Sequence, residues 1–200
     1  MERKDYSAGA VKFQLWFPEF KKTIKLLDEG KTFDDIKTLA LEENLYETPT
    51  TERAKQIFNT TSARIKMLDP SFYSVFLNGD ISTQKICCLI AAMAHDTLFF
   101  DLVYEVIREK LIIGSNEVSD TDIKVFFKNK QQQDEKASKW TDMTIKNLTK
   151  SYKSMLYSAG VLDKAKDTRH IFKPILEISL EYWLKDNGYE PMIKALTGVR

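Results

Sequence analysis

Lysine and small polar residues recur at helical spacing between positions 141 and 158, where they could contact a polyanion. At 100° per residue, Lys146, Lys150 and Lys153 fall on one stripe, nearly opposite an apolar stripe that includes Leu148 and Tyr152. Such a helix can rest in the major groove of DNA, because cations bind phosphates and small polar groups reach base edges. The alternative is an amphipathic surface helix whose charges face only water. The small polar residues between the stripes are Thr144, Asn147, Ser151 and Ser154.

The residues after this helix favour the DNA interpretation. Ala159-Gly160 is a helix stop, since glycine is common just after a last helical turn. A short Val161-Leu162 segment, a basic turn and an apolar return at His170-Ile171-Phe172 follow. This order is typical of a winged helix-turn-helix with a short β wing, whose cations lie beside the DNA backbone or in a minor groove. The predicted DNA-contacting residues are Lys139, Thr141, Thr144, Lys146, Asn147, Lys150, Ser151, Lys153, Lys164, Lys166 and Arg169.

A second, weaker set of cations lies on a predicted helix over residues 51–68. Apolar residues repeat there at helical steps, with basic residues on both flanks of the apolar stripe. Asn59, Thr60 and Ser62 are predicted on its outer face. A helix that only packs against its neighbours is the preferred interpretation, and a second DNA contact is the alternative. The residues of that second contact would be Arg53, Lys55, Arg64 and Lys66.

The sequence contains no signature of a common enzyme class. It has no G-x-G-x-x-G, no Walker loop, no G-x-S-x-G and no H-E-x-x-H. The pair His95-Asp96 is expected to cap a helix or to lie in the core rather than to transfer protons. We therefore expect a protein that is not an enzyme, with no catalytic residue, no cofactor and no small-molecule substrate.

No residue spacing predicts a metal site. The adjacent Cys87 and Cys88 do not form a C-x-x-C pair, and they are expected to be reduced and buried. Asp101, Glu105 and Glu109 share one helical face and could hold a cation. The preferred interpretation of that face is an acidic stripe that meets water or a partner protein.

Charge is distributed unevenly along the chain, although the net charge is only +1. Residues 69–122 contain 3 basic and 9 acidic residues, whereas residues 123–175 contain 12 basic and 5 acidic residues. Such asymmetry predicts an interaction surface in the basic block. The acidic middle gives a second hypothesis, in which the chain is an adaptor that binds a partner protein.

The predicted elements are almost all helical. Pro18 to Gly30 forms a first helix, Thr32 caps a second, Asp80 caps a buried helix, and another begins near Ser119-Asp120. Three segments follow from this pattern, namely an N-terminal helix-turn-helix module (1–68), a central bundle (69–135) and a winged-helix-like module with closing helices (136–200).

Neither a secretory signal nor a membrane span is expected. Met1-Glu2-Arg3-Lys4-Asp5 leads into no long apolar run. The longest apolar run, Ile86 to Ala94, is too short to cross a bilayer as a helix. We therefore expect a cytoplasmic protein without a membrane partner.

Several short segments stand in an order and spacing that resemble the BrxA family of bacteriophage-exclusion (BREX) systems. The resemblance spans nearly the whole chain. The segments are Tyr6-Ser7-Ala8-Gly9, Pro18-Glu19, Glu43-Asn44-Leu45-Tyr46, Lys139-Trp140-Thr141 with Thr144, Ala159-Gly160-Val161-Leu162 and Ala195-Leu196-Thr197-Gly198.

The resemblance implies a non-enzymatic, mostly helical protein with a central bundle similar to NusB. It also implies helix-turn-helix elements that bind double-stranded DNA, and other BREX proteins as partners. The main hypothesis is thus a DNA-binding accessory protein of phage defence that contacts mainly phosphates. The alternatives are an adaptor that assembles the defence complex and a NusB-like RNA-binding protein.

Overall fold

The computed structural model describes residues 3–199, so Met1, Glu2 and Arg200 of the predicted segments lie outside the described residues. The chain is mostly helical, as predicted, and the strands β1 (Glu117–Ser119) and β2 (Thr168–His170) pair in one small sheet. The α-helices are α1 Phe17–Asp28, α2 Phe33–Glu42, α3 Thr51–Ile65, α4 Phe72–Asn78, α5 Ile81–His95, α6 Thr97–Leu102, α7 Arg108–Ile112, α8 Asp120–Gln133, α9 Asp142–Ser158, α10 Ile178–Asp186 and α11 Glu190–Thr197.

The N-terminal helices begin where the sequence places their caps. The Thr32 hydroxyl accepts a hydrogen bond from Asp35 N, and the Asp35 carboxylate accepts one from Thr32 N, so α2 opens on a capping box. Helix α3 ends at Ile65, three residues before the predicted Leu68. Helices α1, α2 and α3 share a small apolar cluster. Its buried residues are Trp16, Ile36, Ala40, Tyr46, Ile57 and Phe58.

The central helices are the most buried. Asp80 caps α5 by accepting a hydrogen bond from Thr83 N, as predicted, and residues 86–94 are all buried. After Asp96 the chain turns into α6, which continues through a π-helical segment, Val103–Ile107, into α7. Within residues 3–199 no single helix is long and apolar enough to cross a membrane. Helix α5 and the helical stretch Thr97–Ile112 reach that length only together, and the chain bends by 114° between them.

One large apolar core joins residues from all three predicted segments. Ile24 of α1, Phe99 of α6 and Tyr152 of α9 belong to the same buried cluster. The closing helices pack back on it, since the rings of Trp183 and Phe72 lie 4.8 Å apart. Helix α9 therefore packs directly on the main apolar core.

The two strands of the small sheet flank α8 and α9 along the chain, with β1 before α8 and β2 after α9. Val118 of β1 lies opposite Arg169 of β2 in an antiparallel register, and Leu162 forms a bridge to Ile171. The predicted return at His170-Ile171-Phe172 thus pairs with Leu162 but also with a strand that the sequence did not indicate. The Ser119 hydroxyl caps α8, close to the predicted start. The resulting chain order is β1, α8, α9, Leu162, a turn and β2.

Candidate nucleic-acid interface

Helix α9 presents the two faces that its periodicity predicts. Leu148, Tyr152, Met155 and Leu156 are buried against the core. Thr141 caps the helix, since its hydroxyl accepts a hydrogen bond from Thr144 N at 3.2 Å. The opposite face of α9, with its lysines, is consequently directed away from the core.

Tyr152 fixes α9 to the central helices by stacking and by one hydrogen bond. Its ring stacks on that of Phe99, with centroids 4.6 Å apart and an interplanar angle of 14°. Its hydroxyl donates to Asp96 Oδ2 at 2.9 Å, while Asp96 Oδ1 accepts a hydrogen bond from Phe99 N and so caps α6. Burial raises the pKa of the Asp96 carboxyl, and these hydrogen bonds oppose that rise. Helix α9 is therefore held to the apolar core by a ring stack and one polar contact.

A groove of about 1090 Å³ lies between α8 and the outward face of α9. Its charged lining is mostly basic, and its two carboxylates belong to Asp120 and Asp142. An open surface of this composition attracts phosphate groups. The cations that line the groove are Lys124, Lys128, Lys146, Lys150, Lys153, Lys164 and Arg169.

The lysines of α9 differ in their availability. Lys146 and Lys150 are exposed, and neither forms an ion pair with any described residue. Lys153 instead donates to Asp120 Oδ1 at 2.6 Å, and its side chain is only 13% exposed. Two of the three predicted lysines are thus free for an anionic ligand, and the third is neutralised within the chain.

The turn before β2 carries two further exposed cations, Lys164 and Lys166. Arg169 has a structural task, because its Nη1 donates to the backbone oxygen of Asp163 at 3.0 Å across the turn. Its Nε is buried and makes no hydrogen bond to a described residue. The turn therefore offers two free lysines and one arginine that holds its shape.

The remaining predicted contacts are scattered. Lys139 is exposed, pairs with Glu135 and does not line the groove. The hydroxyls of Thr141 and Thr144 lie 3.0 Å apart, and only that of Thr141 caps α9, whereas Asn147 lines the groove. The prediction for Ser151 is corrected, because this residue is 7% exposed and lies on the buried side of α9.

The family follows from comparison with known proteins. The family model of BrxA matches residues 4–188. The chain belongs to the BrxA family. The BREX protein BrxA of Bacillus cereus (strain H3081.97) is 37% identical over 166 residues, which is 83% of each chain. The resemblance found in the sequence is therefore confirmed.

A solved structure shares the fold of this BrxA-family chain. The crystal structure of an uncharacterized protein from Magnetospirillum magneticum superposes with a TM-score of 0.80. The similarity covers 98% of this chain and 100% of that chain, at 18% sequence identity. The NusB-like bundle and the winged helix-turn-helix stay predictions.

Two groove cations in this BrxA-family chain were not selected from the sequence. Lys124 and Lys128 stand four residues apart on α8, which places them on one side of the helix, and both are exposed. The four-residue spacing of these two lysines is visible in the sequence and predicts a shared helix face. Its significance depends on α8 lying beside α9, which the sequence pattern did not establish.

The second predicted contact is largely structural. The prediction for Arg64 is corrected, because this residue is 3% exposed and donates from Nη1 to the backbone oxygens of Gln14 and Leu15. Thr60 and Ser62, which were predicted to face outward, are also buried.

The other cations of the second predicted contact, on α3 and just after it, remain near the surface. Arg53 donates to Gln56 and lies over the Trp16 ring, Lys66 lies over the Phe33 ring, and Lys55 is exposed. These residues do not line the basic groove, so α3 presents isolated cations and not a shared surface.

The acidic stripe of the central segment is neutralised within the chain. Asp101 is buried and accepts hydrogen bonds from Arg3 at 2.7 and 3.0 Å and from Tyr6 at 2.6 Å. Lys130 pairs with Glu105 at 2.6 Å. Among residues 3–199, no group of three or more His, Cys, Asp or Glu residues could hold a metal ion. The stripe therefore holds the N-terminal segment and α8 against the central helices.

Proposed function

We propose that this BrxA-family chain is a non-enzymatic cytoplasmic protein that binds double-stranded DNA within a BREX phage-defence system, with other BREX proteins as partners. The BREX assignment rests on the family and on the name of the Bacillus cereus relative. The observation that carries the DNA-binding proposal is the groove between α8 and α9, where Lys146 and Lys150 are exposed without an intramolecular ion pair. Exposed ammonium groups without an intramolecular partner are suited to phosphate contacts.

The arrangement around α9 supports a winged-helix mode of binding. The order β1, α8, α9, Leu162, turn and β2 is the order expected of a strand, a first helix, a recognition helix and a wing. With α9 in the major groove, the α8 lysines and Lys164 of the turn, which line the same groove as α9, contact the flanking phosphates. Cations beside a recognition helix fix its position on the DNA backbone.

Most of the affinity in this proposal comes from phosphate contacts. The logarithm of the binding constant then falls with the logarithm of the salt concentration, by about 0.9 for each phosphate contacted. Lysine presents a point charge, whereas arginine reads guanine with two parallel hydrogen bonds. A surface of lysines therefore gives strong salt dependence with modest sequence preference.

The test is a salt titration of duplex binding by the wild type and by Lys146→Ala/Lys150→Ala. We expect the double variant to bind roughly 10- to 50-fold more weakly at low salt, with a salt slope smaller by about two. Fluorescence anisotropy with a labelled duplex measures both quantities. RNA hairpins and single-stranded DNA serve as competitors.

The matched control is Lys21→Ala/Lys37→Ala. Both lysines are exposed on helices, form no ion pair with a described residue and lie outside the groove. Their removal changes the net charge equally, so it corrects for nonspecific attraction. Equal effects of the two double variants would reject the groove as the binding surface, and tighter binding to RNA hairpins than to duplex DNA would reject duplex DNA as the ligand.

A further inference from the structure

The basic groove contains an exposed carboxylate that phosphate binding does not explain. Asp142 is the first residue of α9 and lines the groove, yet it forms no ion pair with a described residue, unlike Asp120. A carboxylate repels phosphate, so it lowers the affinity of a surface that only binds the DNA backbone. The helix dipole favours an acidic group at the start of a helix, so it explains why a carboxylate is tolerated there. It does not explain the exposed apolar residue that follows.

That neighbour is Met143, an apolar side chain that is 63% exposed among the lysines of the groove. The buried face of α9 holds another methionine, Met155, at 1% exposure. Because Met143 contacts little of the protein, it contributes little to the stability of the fold. An apolar group left in water beside cations is suited to an apolar feature of the ligand.

The first two turns of α9 present four different chemistries to the groove. Asp142 is an acceptor, Met143 is apolar, Lys146 is a cationic donor and Asn147 is an amide. In the major groove these groups match the amino group of cytosine, the methyl group of thymine, the acceptors of guanine and the paired donor and acceptor of adenine. The N-terminal residues of a recognition helix are the ones that reach base edges.

We propose that Asp142 and Met143 give the protein a sequence preference in duplex DNA. Met143 packs on the methyl group of a thymine, and Asp142 accepts a hydrogen bond from the N4 amino group of a cytosine. This inference rests on the proposed DNA-binding function. It adds a preference, read by two residues, to an affinity that the lysines supply.

The experiment begins with selection of preferred duplexes from a randomised pool by the wild-type protein. Each thymine of the selected duplex is then replaced by deoxyuridine, which removes only the methyl group. We expect about a fourfold loss of wild-type affinity at one position, the value of a buried methyl-sized group. The variant Met143→Ala binds the thymine and deoxyuridine duplexes equally.

The second variant is Asp142→Ala, which removes both the charge and the hydrogen-bond acceptor. We expect it to bind an unselected duplex more tightly, because a negative charge has been removed from the groove. It also loses most of the discrimination against replacement of the selected cytosine, which we expect to be roughly five- to tenfold in the wild type. Tighter binding to the unselected duplex together with reduced discrimination identifies a base-reading role, because a general loss of binding would weaken binding to every duplex.

The controls keep the same chemistry outside the groove. Asp34→Ala removes an exposed carboxylate from the first turn of α2, and Ile113→Ala removes an apolar side chain that is exposed after α7. Neither should alter the deoxyuridine penalty or the selected sequence. Salt-dependent duplex binding without any enriched sequence would overturn this inference and leave the proposed function standing. A deoxyuridine penalty that persists in Met143→Ala would also overturn it, whereas loss of all duplex binding would reject the proposed function itself.

Discussion

Lys153 Nζ lies 2.6 Å from Asp120 Oδ1, and this contact joins the outward face of α9 to the start of α8. Both residues line the basic groove. The ion pair withdraws one cation from the groove and places a carboxylate among those that remain. A phosphate that reaches this point meets a lysine already engaged by another anion, so the pair limits the affinity of the groove.

Asp120→Asn should therefore strengthen duplex binding. We expect roughly 3- to 10-fold higher affinity at low salt and a salt slope larger by about one, because Lys153 becomes available and a repulsive charge is lost. We expect a cost in stability of about 1–2 kcal/mol, because Lys153 is only 13% exposed and loses its charged partner, while Asp120 is 42% exposed. Salt titrations check the slope. The control Glu47→Gln breaks the Lys22–Glu47 pair outside the groove, and an unchanged slope in Asp120→Asn would contradict the expectation.

Arg64→Ala should destabilise the fold without changing the salt slope of DNA binding. The substitution leaves the backbone oxygens of Gln14 and Leu15 without their donor, and the one on Leu15 is buried. It also removes a guanidinium whose centre lies 5.8 Å from the Trp16 ring centroid. We expect a loss of about 2–4 kcal/mol in the free energy of unfolding, measured by chemical denaturation. Lys66→Ala, at the exposed residue that follows α3, should change stability by less than about 0.5 kcal/mol.

The faces and caps of individual helices could be predicted because they depend on local chemistry. The burial of Leu148 and Tyr152, and the exposure of Lys146 and Lys150, follow from the 3.6-residue period alone. The Thr32 cap follows from the hydrogen bond that a hydroxyl can make to the third residue of the helix. Neither kind of prediction needs knowledge of distant residues.

The features that were missed depend on which elements meet in space. Arg64 has the periodicity of a surface cation, but α3 is covered on several sides by α1, α2 and α5, so its side chain is enclosed. The sheet pairs Val118 with Arg169, and strands of three residues are too short for an alternating pattern. Lys153 meets Asp120 only because α8 lies beside α9.

His95 should make the protein less stable in mild acid. Burial, with smaller contributions from Lys4 and Arg64, lowers its pKa to about 4 from 6.5. Between these values the unfolded chain binds a proton on His95 that the folded chain does not, so falling pH favours unfolding. Because the side chain is only partly enclosed, we expect the loss between pH 6.5 and 4 to be about 1–2 kcal/mol.

Denaturation of the wild type and of His95→Gln across this pH range measures the effect. The variant should have a flatter profile, and equal profiles would show that the histidine does not contribute. Comparison with a variant is necessary because the neighbouring Asp96 has a raised pKa and acts in the opposite sense. Its carboxyl takes up a proton in the folded chain first, which favours folding as the pH falls.

The turn before β2 should contribute to DNA binding independently of α9. Lys164→Ala/Lys166→Ala removes two exposed cations and keeps Arg169, whose hydrogen bond to the Asp163 oxygen supports the turn. We expect this double variant to lower the salt slope by about two.

Combination with Lys146→Ala/Lys150→Ala should lower the slope by about four in total, since residues without shared partners act additively. Anisotropy titrations of the two double variants and the quadruple variant measure the slopes. A turn variant with the wild-type slope would mean that DNA contacts α9 and α8 only. A quadruple variant no weaker than the α9 variant would lead to the same conclusion.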